Sequence, residues 1–240
     1  MHWHTYGSAE KAAEACGNHI LRRLEEAIAG DGDANIAVSG GSTPQLMFRF
    51  LAQSRFNWNH VHLFWVDERA VPPAHEDSNY RMAEECFLQP AHFPHRNVHR
   101  IQGELAPDVA AARYVEEIRS HFGLAPGELP HFDLVHLGMG ADAHTASLFP
   151  GEPLIDNFDR IAAAIYVEKL ERWRVTLLPG AIATAKHILF LIAGEDKAEA
   201  VRNVVEARYE PSKYPAQVIS HHSRHVTWFV EQSAASLASV

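Results

Sequence analysis

The stretch that most constrains this chain is the apolar run Phe132–Leu137, which breaks at once on Gly138 and Gly140 and continues into Asp142, His144, Thr145 and Ser147. A short run with so little polar interruption predicts a strand buried on both faces, the condition of a strand inside a parallel sheet. The glycines permit a sharp turn and a close approach of backbone to ligand. In an open α/β sheet, ligands bind beyond the carboxyl ends of the strands, so the polar cluster is delivered where a site is expected. Gly138-Met-Gly140-Ala-Asp-Ala143, with Asp156 and Asp159 downstream, also fits a loose dinucleotide fingerprint. That fingerprint needs a long helix whose N-terminus holds a pyrophosphate. Pro150-Gly151 would end any helix here after about two turns, so a nicotinamide site is rejected.

The same rhythm runs through the chain. Asn35–Ser39, Val61–Val66, Ile161–Val167, His187–Ala193 and His225–Val230 are further apolar runs, and His2–Tyr6 and Val98–Ile101 are short strand candidates. Between them, Ser8 is placed to cap a helix to about Ala29, with Ala13, Cys16, Ile20, Leu24 and Ala27 on one stripe. Pro44 suits the first position of a helix over Gln45–Ser54, Ser78 caps one through Leu88, and a short helix follows Pro179 through Lys186. Pro107–Phe122 is expected to turn Val109, Ala112, Val115, Ile118 and Phe122 inward. Strands alternating with helices predict an α/β fold: a doubly wound, mostly parallel open sheet flanked by helices. At 240 residues and 47% hydrophobic composition, one domain over residues 1–240 accommodates it. The small, polar tail after Glu231 is expected to fray.

Composition excludes some functions. A net charge of −9 is the wrong field for nucleic acid, which requires Lys and Arg to displace counterions; an anionic substrate would have to be met by a few local cations. No stretch approaches ~20 apolar residues, and Met1-His-Trp-His-Thr-Tyr is no basic region leading into an apolar run, so membrane spanning and export are not expected and cytoplasm is the default. Cys16 and Cys86 lack metal-ligand spacing and read as small buried hydrophobes. The 17 histidines are scattered. Their closest groupings, His92, His95 and His99 and then His221, His222 and His225, fall among loop residues without HExxH, so no metal is expected.

Two further loops carry chemistry. In Gly40-Gly-Ser-Thr-Pro44, glycine amides, the Ser42 and Thr43 hydroxyls and a helix dipole together make either a small anion site or an ordinary capped turn. It is no Walker loop, lacking Gly-Lys-Ser/Thr. Asp67-Glu68-Arg69 ends the third strand. Three charges there cannot all enter the core unpaired, so they line the crevice or pair with one another. Lys197 falls in the first turn of a helix, where the dipole disfavours a cation unless it meets an anion.

Taken together, Ser39-Gly-Gly-Ser-Thr-Pro44, Val66-Asp-Glu-Arg69, Ser78-Asn-Tyr80, Leu137-Gly-Met-Gly140, Asp142 with His144-Thr-Ala-Ser-Leu-Phe-Pro150, Arg174-Val-Thr-Leu-Leu-Pro179 and Gly194-Glu-Asp-Lys197-Ala resemble the soluble 6-phosphogluconolactonases of the glucosamine-6-phosphate deaminase-like superfamily. Each piece is short; their order is specific and spans nearly the whole chain. The resemblance implies hydrolysis of 6-phosphoglucono-1,5-lactone, a step of the oxidative pentose phosphate pathway, without metal or organic cofactor, by a monomer or small homo-oligomer. It implies His144 as general base and then acid, Asp142 as its orienting carboxylate, and Arg69 on the substrate or the developing oxyanion. It places the sugar phosphate against Ser39, Gly40, Gly41, Ser42, Thr43, Arg174 and Lys197, with Asp67 beside the substrate. An imidazole with its ordinary pKa of ~6.5 suits both proton transfers.

One departure stands out: Ala143 occupies a position where the family usually has glycine, and if it needs positive φ, alanine costs on the order of 1 kcal/mol. The deaminases of the same superfamily are disfavoured. They carry a glutamate where this chain has Phe149, which cannot move protons, and a tyrosine where it has Arg69. A serine hydrolase is disfavoured because Ser39-Gly-Gly is no nucleophile elbow. A non-catalytic sugar-phosphate sensor would need no His144.

Overall fold

The computed structural model describes residues 1–239. Strands β1 (His2–Tyr6), β2 (Ala34–Val38) and β3 (Val61–Trp65) are joined by helices α1 (Ala9–Asp31) and α2 (Ser42–Ala52). Then come β4 (Asp67–Arg69), α3 (Asn79–Ala83), β5 (Val98–His99), α4 (Pro107–Phe122), β6 (Leu134–Leu137), β7 (Ala162–Val167) and β8 (Arg172–Leu177). The chain finishes with α5 (Pro179–Ala183), β9 (His187–Ile192), α6 (Ala198–Glu206), α7 (Ala216–His222) and β10 (Val226–Glu231).

Seven strands form one parallel sheet in the order β1-β10-β9-β6-β2-β3-β5. From β2 the chain winds outward through β3 to β5; from β6 it winds the other way through β9 to β10, beside which the N-terminal β1 forms the edge. The direction reverses between β2 and β6, and a crevice opens at such a switch point beyond the carboxyl ends of the strands. The loops beginning at Ser39 and Gly138 both leave the sheet there. The expected doubly wound sheet is present, as is the burial of β6 on both faces.

The structure also corrects several expectations. β4, β7 and β8 belong not to the main sheet but to a separate antiparallel sheet of order β4-β8-β7. Only Val66 separates β3 from β4, so one continuous segment serves two sheets, and no periodicity could mark the crossing. β10 lies inside the sheet, with β1 at the edge. Helix α2 starts at Ser42, placing Pro44 in its first turn rather than at its first position. In α4 the buried residues are Ala110, Ala111, Tyr114 and Ile118, while Val109 is exposed; the stripe is rotated because Tyr114 reaches into the core to donate to Trp65 O (2.6 Å) and accept from Trp65 N (3.0 Å). Residues His221 and His222 end helix α7 rather than lying in a loop. Part of the tail packs down: Ala234 is fully buried. Residues 138–151 hold turns and no helix, so a pyrophosphate-binding helix has no place there.

His136, in the middle of β6, is fully buried with neither ring nitrogen hydrogen-bonded. Burial pushes its pKa down to about 3. The unfolded chain takes up a proton below about pH 6.5 that the folded chain refuses, so this residue erodes stability as pH falls from about 6.5 toward 3. Replacing His136 with Leu is expected to leave stability at pH 7 unchanged or higher, and to remove on the order of 2–3 kcal/mol of the loss between pH 7 and 4.5. Urea unfolding of both proteins at the two pH values measures this; parallel acid losses would refute it.

Candidate active site

The first loop leaves the start of a helix uncapped. Gly41, at φ 120, is the N-cap of α2 and provides no side-chain cap, so the amides of the first turn remain available. This rules out the ordinary capped turn. A Cβ at Gly40 would fall 1.9 Å from Asn79 Oδ1, so glycine lets the loop close onto Asn79, whose amide donates to Asp67 O at 2.9 Å.

The strand-three motif divides its labour. Register pairs Asp67 with Thr176, Glu68 with Val175 and Arg69 with Arg174, setting both arginines side by side on the crevice. Glu68 faces away and is buried; it neither lines the crevice nor pairs with a cation. Its carboxylate accepts from Arg69 N (2.8 Å), Asn79 N (2.8 Å), Tyr80 N (2.8 Å) and Ser78 Oγ (3.0 Å), while burial raises its pKa against those bonds. Asp67 is also buried, accepting from Ser147 Oγ at 2.5 Å and lying 3.5 Å from Arg174 Nη1. Arg69 Nη1 donates to Asp77 O.

His144 is held from two sides. Its Nδ1–H donates to Asp142 Oδ1 at 2.5 Å, and Asp142 pairs through its other oxygen with Lys169. The ring stacks on Phe149 with centroids 4.1 Å apart, and Lys169 Nζ lies 4.5 Å from the far partner's centroid in a cation–π contact with Phe149. A Cβ at Gly140 would lie 2.1 Å from His144 Nδ1. Ala143 does adopt positive φ, at 62°, so the alanine bears the torsional cost anticipated for it; Ala143 O accepts from Ala216 N at 3.0 Å, tying the strained residue to α7. The imidazole does not keep its ordinary pKa. Burial lowers it to about 4, with Arg174, Lys197 and Arg69 acting in the same direction and Asp67 against.

Ser39, Gly40, Gly41, Ser42, Thr43, Asp67, Arg69, His144, Arg174 and Lys197 line one cavity of about 240 Å³. Asp142 stands behind the imidazole and lines a neighbouring groove instead. Three cations face this cavity against a single carboxylate, a local reversal of the chain's net charge. Ser39 Oγ, Arg69 Nε and Arg174 Nε are buried and have no hydrogen-bond partner among the described residues. Buried donors left unpaired are costly. Sequence reasoning assigned no role to Ser147, which fixes Asp67, to Asn79, which closes the first loop, or to Lys169, which braces Asp142. Ser147 appeared only as a member of the polar cluster after Gly140, Asn79 only within the Ser78-Asn-Tyr80 motif, and Lys169 not at all.

A switch-point crevice in an α/β protein thus brings free helix amides, two adjacent arginines and a carboxylate-held imidazole together. Residues 7–228 match the family of glucosamine-6-phosphate isomerases/6-phosphogluconolactonase. The chain is 36% identical over 222 residues to the 6-phosphogluconolactonase of Nostoc sp., covering 92% of this chain and 91% of that one. The 6-phosphogluconolactonase of Thermotoga maritima superposes with a TM-score of 0.81 at 28% identity, covering 96% of this chain and 99% of that one. A monomeric glucosamine-6-phosphate deaminase shares the fold, with a TM-score of 0.84 at 20% identity, over 99% of this chain and all of that one (100%). The chain belongs to the glucosamine-6-phosphate isomerase/6-phosphogluconolactonase family, and its relatives make it a hydrolase of the lactonase type.

Proposed function

We propose that this chain hydrolyses 6-phosphoglucono-1,5-lactone to 6-phosphogluconate, with His144 as the proton-transfer group. The observation that carries this reading is the cavity that joins Arg69, Arg174 and Lys197 to an imidazole pinned by a carboxylate. The phosphate would sit on the α2 amides, Ser42 and Thr43, with Arg174 and Lys197 opposing its charge. Because Asp142 accepts from Nδ1, the Nε2 lone pair of His144 is left to take a proton from water as its oxygen attacks C1 of the lactone. Negative charge passes to the carbonyl oxygen, where Arg69 can stabilise it. Collapse breaks the bond from C1 to the ring oxygen; the imidazolium returns the proton to that oxygen, and the acid product ionises. Phe149, rather than an ionisable group, lies against the imidazole, which supports hydrolysis over isomerisation. Retention in the cytoplasm follows as an expectation; among the described residues no helix is long and apolar enough to cross a membrane.

The pKa of about 4 keeps His144 neutral, and so competent as a base, at physiological pH, and activity is lost as pH falls through it. A bound phosphate dianion would offset Arg174 and Lys197 and raise that value. The acid limb of kcat is therefore expected at higher pH than that of kcat/KM, which reports the free enzyme. Coincident limbs would remove this coupling.

Arg174→Ala is expected to raise KM about 10–100-fold with kcat little changed, because a phosphate far from the reacting carbon is held alike in ground and transition states. Lactone hydrolysis, corrected for spontaneous opening, measures it. A collapse in kcat at constant KM would move Arg174 to the reacting end.

A further inference from the structure

Outside the crevice, three histidines from distant parts of the sequence meet. His62 lies near the start of β3, His99 ends the edge strand β5, and His121 is in the last turn of α4. One nitrogen from each lies within 4.8 Å of the others, and His62 Nδ1 is 3.0 Å from His99 Nε2. The ring centroids of His121 stand 4.4 Å from His62 and 4.7 Å from His99.

The surroundings of these rings are those of metal ligands. Glu117 Oε1 accepts from His99 Nδ1 at 2.8 Å, which leaves the lone pair on Nε2, the nitrogen that faces His62. Asn35 Oδ1 accepts from His121 Nε2 at 2.7 Å, which leaves the lone pair on Nδ1. Outer partners of this kind, a carboxylate and an amide oxygen, orient ligating histidines and fix their tautomers. Asp33 and Arg96 are the nearby charges of opposite sign that reach His62.

The geometry points to a binding site for a zinc-type first-row transition-metal ion on His62, His99 and His121, outside the crevice and toward the amino end of β3. Bonds of about 2.0–2.1 Å in tetrahedral array set nitrogens ~3.3 Å apart. The 3.0 Å pair is a hydrogen bond from His62 Nδ1–H to His99 Nε2; metal binding requires His62 to carry its proton on Nε2 instead, and the His121 nitrogen, within 4.8 Å of both, to move closer. Three neutral nitrogens favour Zn²⁺ or Co²⁺ over Mg²⁺ or Ca²⁺, which prefer oxygen. The five residue steps from His62 to Asp67 span about 16 Å, so the ion would clip β5 and α4 to β3 without touching the reacting atoms.

The test is titration of the chelator-stripped full chain with Zn²⁺, and with Co²⁺ followed by its visible absorption, with Mg²⁺ as control. One equivalent is expected to bind, raising Tm by about 5–10 °C at a hundredfold excess over Kd. The His62→Gln/His121→Gln double variant should weaken binding at least 100-fold. Glu117→Gln, which leaves all three rings in place and serves if the double variant does not fold, should weaken it 10–100-fold at unchanged stoichiometry. His144→Ala should retain the site. Binding no tighter than about 100 µM, binding that survives both His62→Gln/His121→Gln and Glu117→Gln, or binding lost with His144→Ala would overturn the proposal.

Discussion

Replacing His144 with alanine lowers kcat by about 10²–10⁴, the usual worth of a positioned acid–base group, while KM for the lactone changes little because the phosphate contacts lie elsewhere. The variant should fold as the parent does. The ring is partly exposed at the cavity wall, with 26% of its side chain accessible, and its loss leaves Asp142 still paired with Lys169. Steady-state rates on freshly generated lactone, corrected for spontaneous hydrolysis, decide the matter. Turnover within threefold of the parent would take His144 out of the reaction.

The second large effect is on stability. Glu68→Ala removes the acceptor of three backbone amides and one hydroxyl in a place closed to water, with each stranded donor costing about 1–3 kcal/mol. Recovery of the carboxylate's own desolvation cost offsets part of this. A net loss of about 3 kcal/mol or more is expected, or roughly 6–12 °C in Tm for a domain of this size. Activity should fail before the fold does, since the same carboxylate sets Asn79 against Gly40 and holds the backbone of Arg69. A variant melting within about 2 °C of the parent would mean that Glu68 does not organise this corner.

Much of this was legible in the sequence. Apolar runs ending on glycine or charge disclosed the parallel sheet, because strands buried on both faces and their exit loops leave a compositional trace. Ser39 and Arg69 drew notice because each sits where a strand stops; Arg174, inside β8, was singled out only through the family resemblance. The second sheet was not, because β4 is three residues long and all of them are charged. Charge there argued for solvent or pairing, yet Glu68 is satisfied by amides at the start of α3, eleven and twelve residues on, a contact no local pattern encodes. The pKa of His144 was equally hidden, since it depends on burial and on cations brought from three other segments. The His62–His99–His121 cluster is spread over 60 residues of sequence, and only the pairing of β3 with β5 and the landing of α4 bring it together.

The loop that carries His144 reverses the customary meaning of its small residues. Position 143 has the torsion that glycine is made for, yet holds a methyl. Position 140 has no such torsion, but a methyl there would collide with the imidazole at 2.1 Å. Among chains built on this plan, a side chain at 140 should therefore mark a displaced and idle histidine, whereas glycine or alanine at 143 should be a matter of indifference to turnover.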